Sequence, residues 1–183
     1  MRAFVAIVPP AEVIDDLDEF WEVRRHAGGF RWTRPEQFHV TLAFAPAVPD
    51  RAVEDWLERL GAAAGRRTPF EMRVAGGGAF PQVAEGRVLY AGLRDEPELA
   101  RLATGVRNAT ATAGIEVDGG RFRPHLTLAR LRRPTELTRW VRLADSYTGP
   151  AWRVDSASVV ESHLGEGPGR RPRHEMLAEI PLG

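Results

Sequence analysis

Short apolar runs of period two alternate along this chain with longer stretches of period three to four, which predicts interleaved strands and helices. Ala3 to Val8 reads as a first strand, closed by Pro9 and Pro10. Residues 12–25 put Val13, Ile14, Leu17, Phe20, Trp21 and Arg24 on one helical face, ending before Gly28 and Gly29. Strands are expected at 30–32 and 38–44, around a turn at Pro35, and Asp50 reads as the N-cap of a helix with Val53, Trp56, Leu57 and Leu60 inward. Phe70, Met72 and Val74 alternate as a strand that Gly76, Gly77 and Gly78 should break, with residues 87–93 as its partner. Pro97 opens a helix with Leu99, Leu102, Ala103 and Val106 inward, closed near Gly114. A short helix then buries Leu137, Trp140 and Val141, and strands over 152–164 and 173–180 flank a Gly/Pro/Arg loop at 165–172. The order repeats coarsely in the two halves. It predicts an α+β fold with two antiparallel sheets around a shared cleft, in one two-lobed domain over residues 1–183.

One phrase occurs in both halves. His39-Val40-Thr41-Leu42 and His125-Leu126-Thr127-Leu128 stand 86 residues apart (125 − 39), each shortly after a proline that favours extended entry, Pro35 or Pro124. In a strand, His and Thr share one face and the aliphatic residues the other. Two imidazoles and two hydroxyls are thereby offered to one cleft. An imidazole with a pKa of about 6.5 serves as acid or base near neutrality. Phosphodiester cleavage needs both: the attacking oxygen must lose a proton and the leaving oxygen must gain one. The Thr hydroxyls suit the non-bridging oxygens, and no metal is needed. Arg130 could clamp the phosphate through its guanidinium fork, but strict alternation points it away from His125 and Thr127, so this role requires the strand to bend there. Phe44 is a candidate for base contact or for the core.

Composition narrows the chemistry further. The chain has no cysteine, which removes thiolate metal sites, disulfides and thiol nucleophiles, and all 25 basic residues are Arg, which removes lysine chemistry. They balance 25 acidic residues, so no global field holds nucleic acid and any phosphate binding must be local. A basic surface is expected around Arg121, Arg123, Arg130, Arg132 and Arg133. No apolar run is long enough for a membrane span, and a cytoplasmic protein, monomeric by default, is expected. His163 and His174 fit no metal-ligand spacing and read as structural or exposed, while His26 suits a helix C-terminus.

The two phrases, with Met1-Arg2-Ala3-Phe4-Val5-Ala6-Ile7, Arg31-Trp32-Thr33-Arg34-Pro35-Glu36, the run Phe122 to Arg130, Trp152-Arg153-Val154 and Leu177 to Gly183, resemble the RNA 2′,3′-cyclic phosphodiesterase family, historically called 2′-5′ RNA ligases, of the two-histidine phosphoesterases. The resemblance implies a bilobed α+β fold with pseudo-two-fold symmetry and metal-independent, cofactor-free opening of RNA 2′,3′-cyclic phosphate ends to 2′-phosphates. It also implies that His39 protonates the departing 3′-oxygen, His125 activates water, and Thr41, Thr127 and Arg130 hold the phosphoryl oxygens. Phe44 would stack on a base. Two departures stand out: Ala43-Phe44-Ala45-Pro46 replaces the usual basic residue followed by Phe-Leu-Gly, and His174 replaces a frequent Tyr. By chemistry alone the two His roles are exchangeable. Alternative readings are a phosphodiesterase for a small nucleotide such as ADP-ribose cyclic phosphate, and a non-catalytic RNA-binding module.

Overall fold

The computed structural model describes residues 1–183. Ten strands and four helices follow in the order β1 (Ala3–Ile7), α1 (Ala11–Glu22), β2 (Arg31–Trp32), β3 (Val40–Ala45), α2 (Val53–Gly65), β4 (Phe70–Met72), β5 (Val74–Phe80), β6 (Gly86–Leu93), α3 (Pro97–Thr112), β7 (Leu126–Thr135), α4 (Thr138–Asp145), β8 (Trp152–Val154), β9 (Ser156–His163) and β10 (Arg173–Pro181). All strand pairs are antiparallel. The larger sheet runs β10-β9-β1-β3-β7-β6-β5 with β2 on β7, and β4 and β8 form a second, two-stranded sheet. No helix is long and apolar enough to cross a membrane.

The large sheet is two strand groups joined at one point. Only Val40 and Leu126 pair between β3 and β7, so the two halves splay apart on either side of that link. β1 is buried along its whole length, as its unbroken apolar run requires. Ala3, Val5 and Ile7 belong to the 41-residue main core, while Phe4 and Ala6 pack with Val160 and Phe44 in a small cluster apart from it. The helices seal the main core with the expected faces: Val13, Leu17 and Trp21 from α1, Trp56 and Leu60 from α2, and Leu99, Leu102, Ala103 and Val106 from α3. Trp21, Trp32 and Trp140 meet at ring-centroid distances of 5.6–6.4 Å, which fixes the two-residue β2 against α1 and α4.

Three local expectations are corrected. The Gly76-Gly77-Gly78 run does not break its strand: β5 continues through it to Phe80. A Cβ on Gly77 would lie 2.5 Å from Ala144 Cβ and from Tyr90 O, so α4 and β6 approach too closely for any side chain. Gly76, at φ +70°, lies within the register shift of the β5–β6 pair. The expected strands over 70–74 and 152–164 are each split, at Arg73 and at Asp155, because β4 and β8 leave the large sheet to pair with each other. Asp50 does not cap α2, which starts at Val53 after a 3₁₀ turn.

β-bulges decide which residues reach the cleft. In β3 the register with β1 jumps from Ala43 to Thr41, leaving Leu42 unpaired. In β7 the register with β6 jumps from Ala129 to Thr127, leaving Leu128 unpaired. Leu42 and Ala43 are consequently both buried, as are Leu128 and Ala129. The next residue in each strand returns to the His/Thr face. We expect Leu128→Ala to cost about 2–5 kcal/mol in urea unfolding, because its side chain is fully buried. A loss below about 1 kcal/mol would show that the bulge is not held by packing.

Candidate functional site

The single β3–β7 link lies inside the repeated phrases. Val40 pairs with Leu126, and antiparallel register about that pair sets His39 beside Thr127 and Thr41 beside His125. All four line one cleft of about 230 Å³, together with Phe44 and Arg130. The Leu128 bulge is the bend that Arg130 required. The Leu42 bulge takes Phe44 out of the main core in the same way, so that its ring lines the cleft while packing against the small Phe4, Ala6 and Val160 cluster.

Both imidazoles are oriented by backbone. His39 Nδ1 donates to Gln37 O at 2.7 Å and His125 Nδ1 to Arg123 O at 2.8 Å, since a carbonyl oxygen can only accept. Nε2 is therefore the nitrogen left free in each ring. Neither threonine hydroxyl is engaged by another protein group, so Thr41 and Thr127 keep their donors for a ligand.

The imidazoles differ in their surroundings. Phe4 stacks on His39 at 4.7 Å, and His174 sits edge-on to His39 at 5.7 Å. Phe80 and Tyr90 meet His125 at 4.9 and 5.6 Å. Burial pulls the His39 pKa down to about 4, aided by the charges of His174, His125 and Arg130 and opposed by the Gln37 hydrogen bond. His125 is lowered in the same direction, again by burial first and then by Arg130. The free site thus holds two neutral imidazoles at neutral pH, with Arg130 as the cation that acts on both.

Several lining residues were not expected from sequence. Phe4 sits on β1, and Arg2 lies with its guanidinium 4.3 Å from the Phe44 ring centroid, covering one face of it. His174, expected to be structural or exposed, lines the cleft edge-on to both Phe4 and His39 because β10 lies beside β9 and β9 beside β1. Burial lowers its pKa as well. No spacing rule could have found these residues, since their neighbours arrive from distant strands.

His163 lies instead on the β9–β10 hairpin, 3.5 Å from Glu161 and 3.3 Å from Glu175. These three could gather round a cation. Arg173, however, already pairs with Glu175 at 3.3 Å and with the adjoining Glu166 at 3.1 Å. Protein charge therefore already offsets part of the cluster, at Glu166 and Glu175. His26 falls in a 3₁₀ turn just beyond α1.

The model of the 2′-5′ RNA ligase superfamily matches residues 9–166. The chain is 33% identical to an RNA 2′,3′-cyclic phosphodiesterase of Thermus thermophilus over 175 residues, covering 90% of this chain and 83% of that one. It is 31% identical to an RNA 2′,3′-cyclic phosphodiesterase of Archaeoglobus fulgidus, covering 73% and 74%. A match to a Geobacillus stearothermophilus RNA 2′,3′-cyclic phosphodiesterase, 30% identical, spans only 41% of that longer relative. Among solved structures, TT0787 of Thermus thermophilus aligns over 100% of this chain and 98% of its own, with TM-score 0.81 and 30% identity. Apo LigT of E. coli shares the fold at TM-score 0.79 and 24% identity, over 99% and 96% of the two chains. With most of its length matched by the family model and the paired His-x-Thr phrases meeting in one cleft, the chain belongs to the 2′-5′ RNA ligase superfamily.

Proposed function

We infer that this protein is an RNA 2′,3′-cyclic phosphodiesterase that opens cyclic phosphate ends to 2′-phosphates with His39 and His125 as its acid–base pair. The observation that carries this reading is the pairing of Val40 with Leu126, which aligns two imidazoles, each with Nε2 free, and two unengaged hydroxyls along one short stretch of cleft. Relatives named for this activity, matched over most of their length, support the substrate class.

In the proposed step, His125 Nε2 takes a proton from water as its oxygen bonds to phosphorus. The P–O3′ bond breaks, and protonated His39 delivers its Nε2 proton to the departing 3′-oxygen. The products are a 2′-phosphate and a 3′-hydroxyl, and the proton gained by His125 balances the one lost by His39. Thr41, Thr127 and Arg130 bind the non-bridging oxygens, where negative charge stays through the transition state. The Phe44 ring takes the base. Every step uses protein side chains and water, so none requires a metal ion. Reversal of the same step would join 2′-5′ ends.

Desolvation of His39 by itself favours the neutral form there. The acid role therefore depends on the substrate: a bound phosphate anion beside Nε2 stabilises the imidazolium and draws the pKa back up. A binding module without chemistry has no use for the second oriented imidazole.

Purified protein in EDTA should convert an RNA oligonucleotide ending in 2′,3′-cyclic phosphate to a 2′-phosphate, identified by its isomer and its phosphomonoesterase sensitivity. Loss of activity in EDTA, restored by a divalent ion, would contradict the metal-free scheme. His39→Ala and His125→Ala should each lower kcat by about 10²- to 10⁴-fold while leaving RNA affinity within a few-fold. Retained turnover in either variant would remove that imidazole from the mechanism.

The two roles separate with a 3′-thio analogue of the cyclic phosphate, whose thiolate leaves without a proton. His39→Ala should recover on this substrate and His125→Ala should not, whereas recovery of His125→Ala alone would exchange the assignments. The pH dependence follows from the lowered pKa values. The reacting free enzyme must hold one imidazole proton, and burial moves proton loss from both rings below pH 6.5. Consequently kcat/KM should fall toward tenfold per pH unit above about 6.5. A profile level to pH 8.5 would refute this.

A further inference from the structure

A second groove, of about 710 Å³, opens from Arg130 and is formed by β2, β7 and the turn at 168–171. Arg31, Arg34, Arg130, Arg132, Arg133 and Arg171 line it, and no acidic side chain does. Of the six, only Arg34 has a carboxylate within ion-pair range, Glu36 at a loose 3.8 Å. Arg31 faces Arg130 in the β2–β7 pair and donates from Nη2 to Gly169 O at 3.1 Å, which ties the turn to the strand. Burial, and then the charges of Arg31 and Arg34, make protonated Arg171 less favourable than it would be in water.

So many uncompensated guanidiniums in one groove repel one another, and in a chain of zero net charge they are local by construction. An anion relieves that repulsion. One phosphate is already provided for by the catalytic cleft, and the groove continues beyond it from the shared Arg130. The flank of the cleft past Phe44 is less suited to a polyanion. Arg121 and Arg123 line it, but its Arg107 is committed to Leu42 O and Gly120 O at 3.0 and 2.8 Å and Asp118 lines it too, so it offers fewer free guanidiniums than the six-arginine groove. Only two apolar side chains, Phe30 and Leu131, line the arginine groove, too few to anchor a peptide.

We propose that the groove holds the backbone phosphates of the nucleotides preceding the cyclic phosphate, so that the strand runs from the catalytic cleft past Arg130 toward Arg34 and Arg171. This rests on the phosphodiesterase reading and adds to it a direction for the strand and a preference for oligonucleotides over mononucleotides. Arg31, which also holds the turn, is left intact in the test. Arg34→Gln with Arg171→Gln should lower kcat/KM on a short oligonucleotide with a cyclic end by about tenfold, while a nucleoside 2′,3′-cyclic monophosphate stays within about twofold. The log–log salt dependence for the oligonucleotide should flatten by about 0.7 for each phosphate that the variant no longer neutralises. An equal fall on both substrates, or none on either, would overturn the groove. If the unaltered protein turned over neither substrate, the phosphodiesterase reading would fail by itself. The groove would then be judged on anisotropy binding of a 3′-hydroxyl oligonucleotide: about tenfold weakening in the double variant supports it and unchanged affinity overturns it. Competition by polyglutamate equal to that by oligonucleotide of the same charge would also overturn it, by assigning the groove to acidic peptide.

Discussion

A single antiparallel residue pair, Val40 with Leu126, holds the two strand groups together where the chemistry is. Both members are fully buried aliphatic residues, so the link is made of backbone hydrogen bonding and apolar packing and leaves the opposite face polar. Because the pair sits between a histidine and a threonine in each strand, its register sets the order of the functional groups. A slip of one residue would turn one phrase's His and Thr into the core and the aliphatic residues into the cleft. The full burial of Val40, Leu42, Leu126 and Leu128 therefore guards the site geometry as well as stability.

The bulges at Leu42 and Leu128 extend what that pair begins. Regular strands would keep Phe44 and Arg130 off the His/Thr face. One unpaired residue in each strand reverses the alternation and supplies an aromatic ring on one side and a guanidinium on the other. Equivalent positions after the two phrases thus carry different groups: an aromatic ring after the first, a guanidinium after the second. This division gives the cleft a direction, and the arginine groove leaves from the Arg130 side.

Electrostatics in the cleft come from burial more than from charge pairing. No carboxylate lines it, and both imidazoles are oriented by carbonyls, which hold a tautomer without supplying a full negative charge. Such a site leaves the imidazoles uncharged without substrate; in the proposed mechanism a bound phosphate anion then helps to create the acid that protonates its leaving group. His174, where the family frequently has Tyr, adds a third ring beside His39 and further disfavours a proton there in the absence of substrate.

The periodicity of apolar positions determined most of the elements by itself, since the faces of α1, α2 and α3 and the run of β1 each bury enough side chain to fix their own conformation. The repeated His-x-Thr-Leu phrase likewise marked its four polar residues, because residue type and two-residue spacing suffice to place groups on one strand face. Tertiary structure decided what depends on neighbours distant in sequence. Close packing of α4 and Tyr90 against Gly77 keeps β5 intact, where local propensity argues for a break. The bulges arise from the pairing of β1 with β3 and of β6 with β7, which no local pattern records. Phe4, Arg2 and His174 join the cleft only because β1 and β10 are drawn into the same sheet, and Arg31, Arg34 and Arg171 meet Arg130 only through β2 and the 168–171 turn. Local sequence already groups Arg130, Arg132 and Arg133 in a chain of zero net charge, and folding adds Arg31, Arg34 and Arg171 to them.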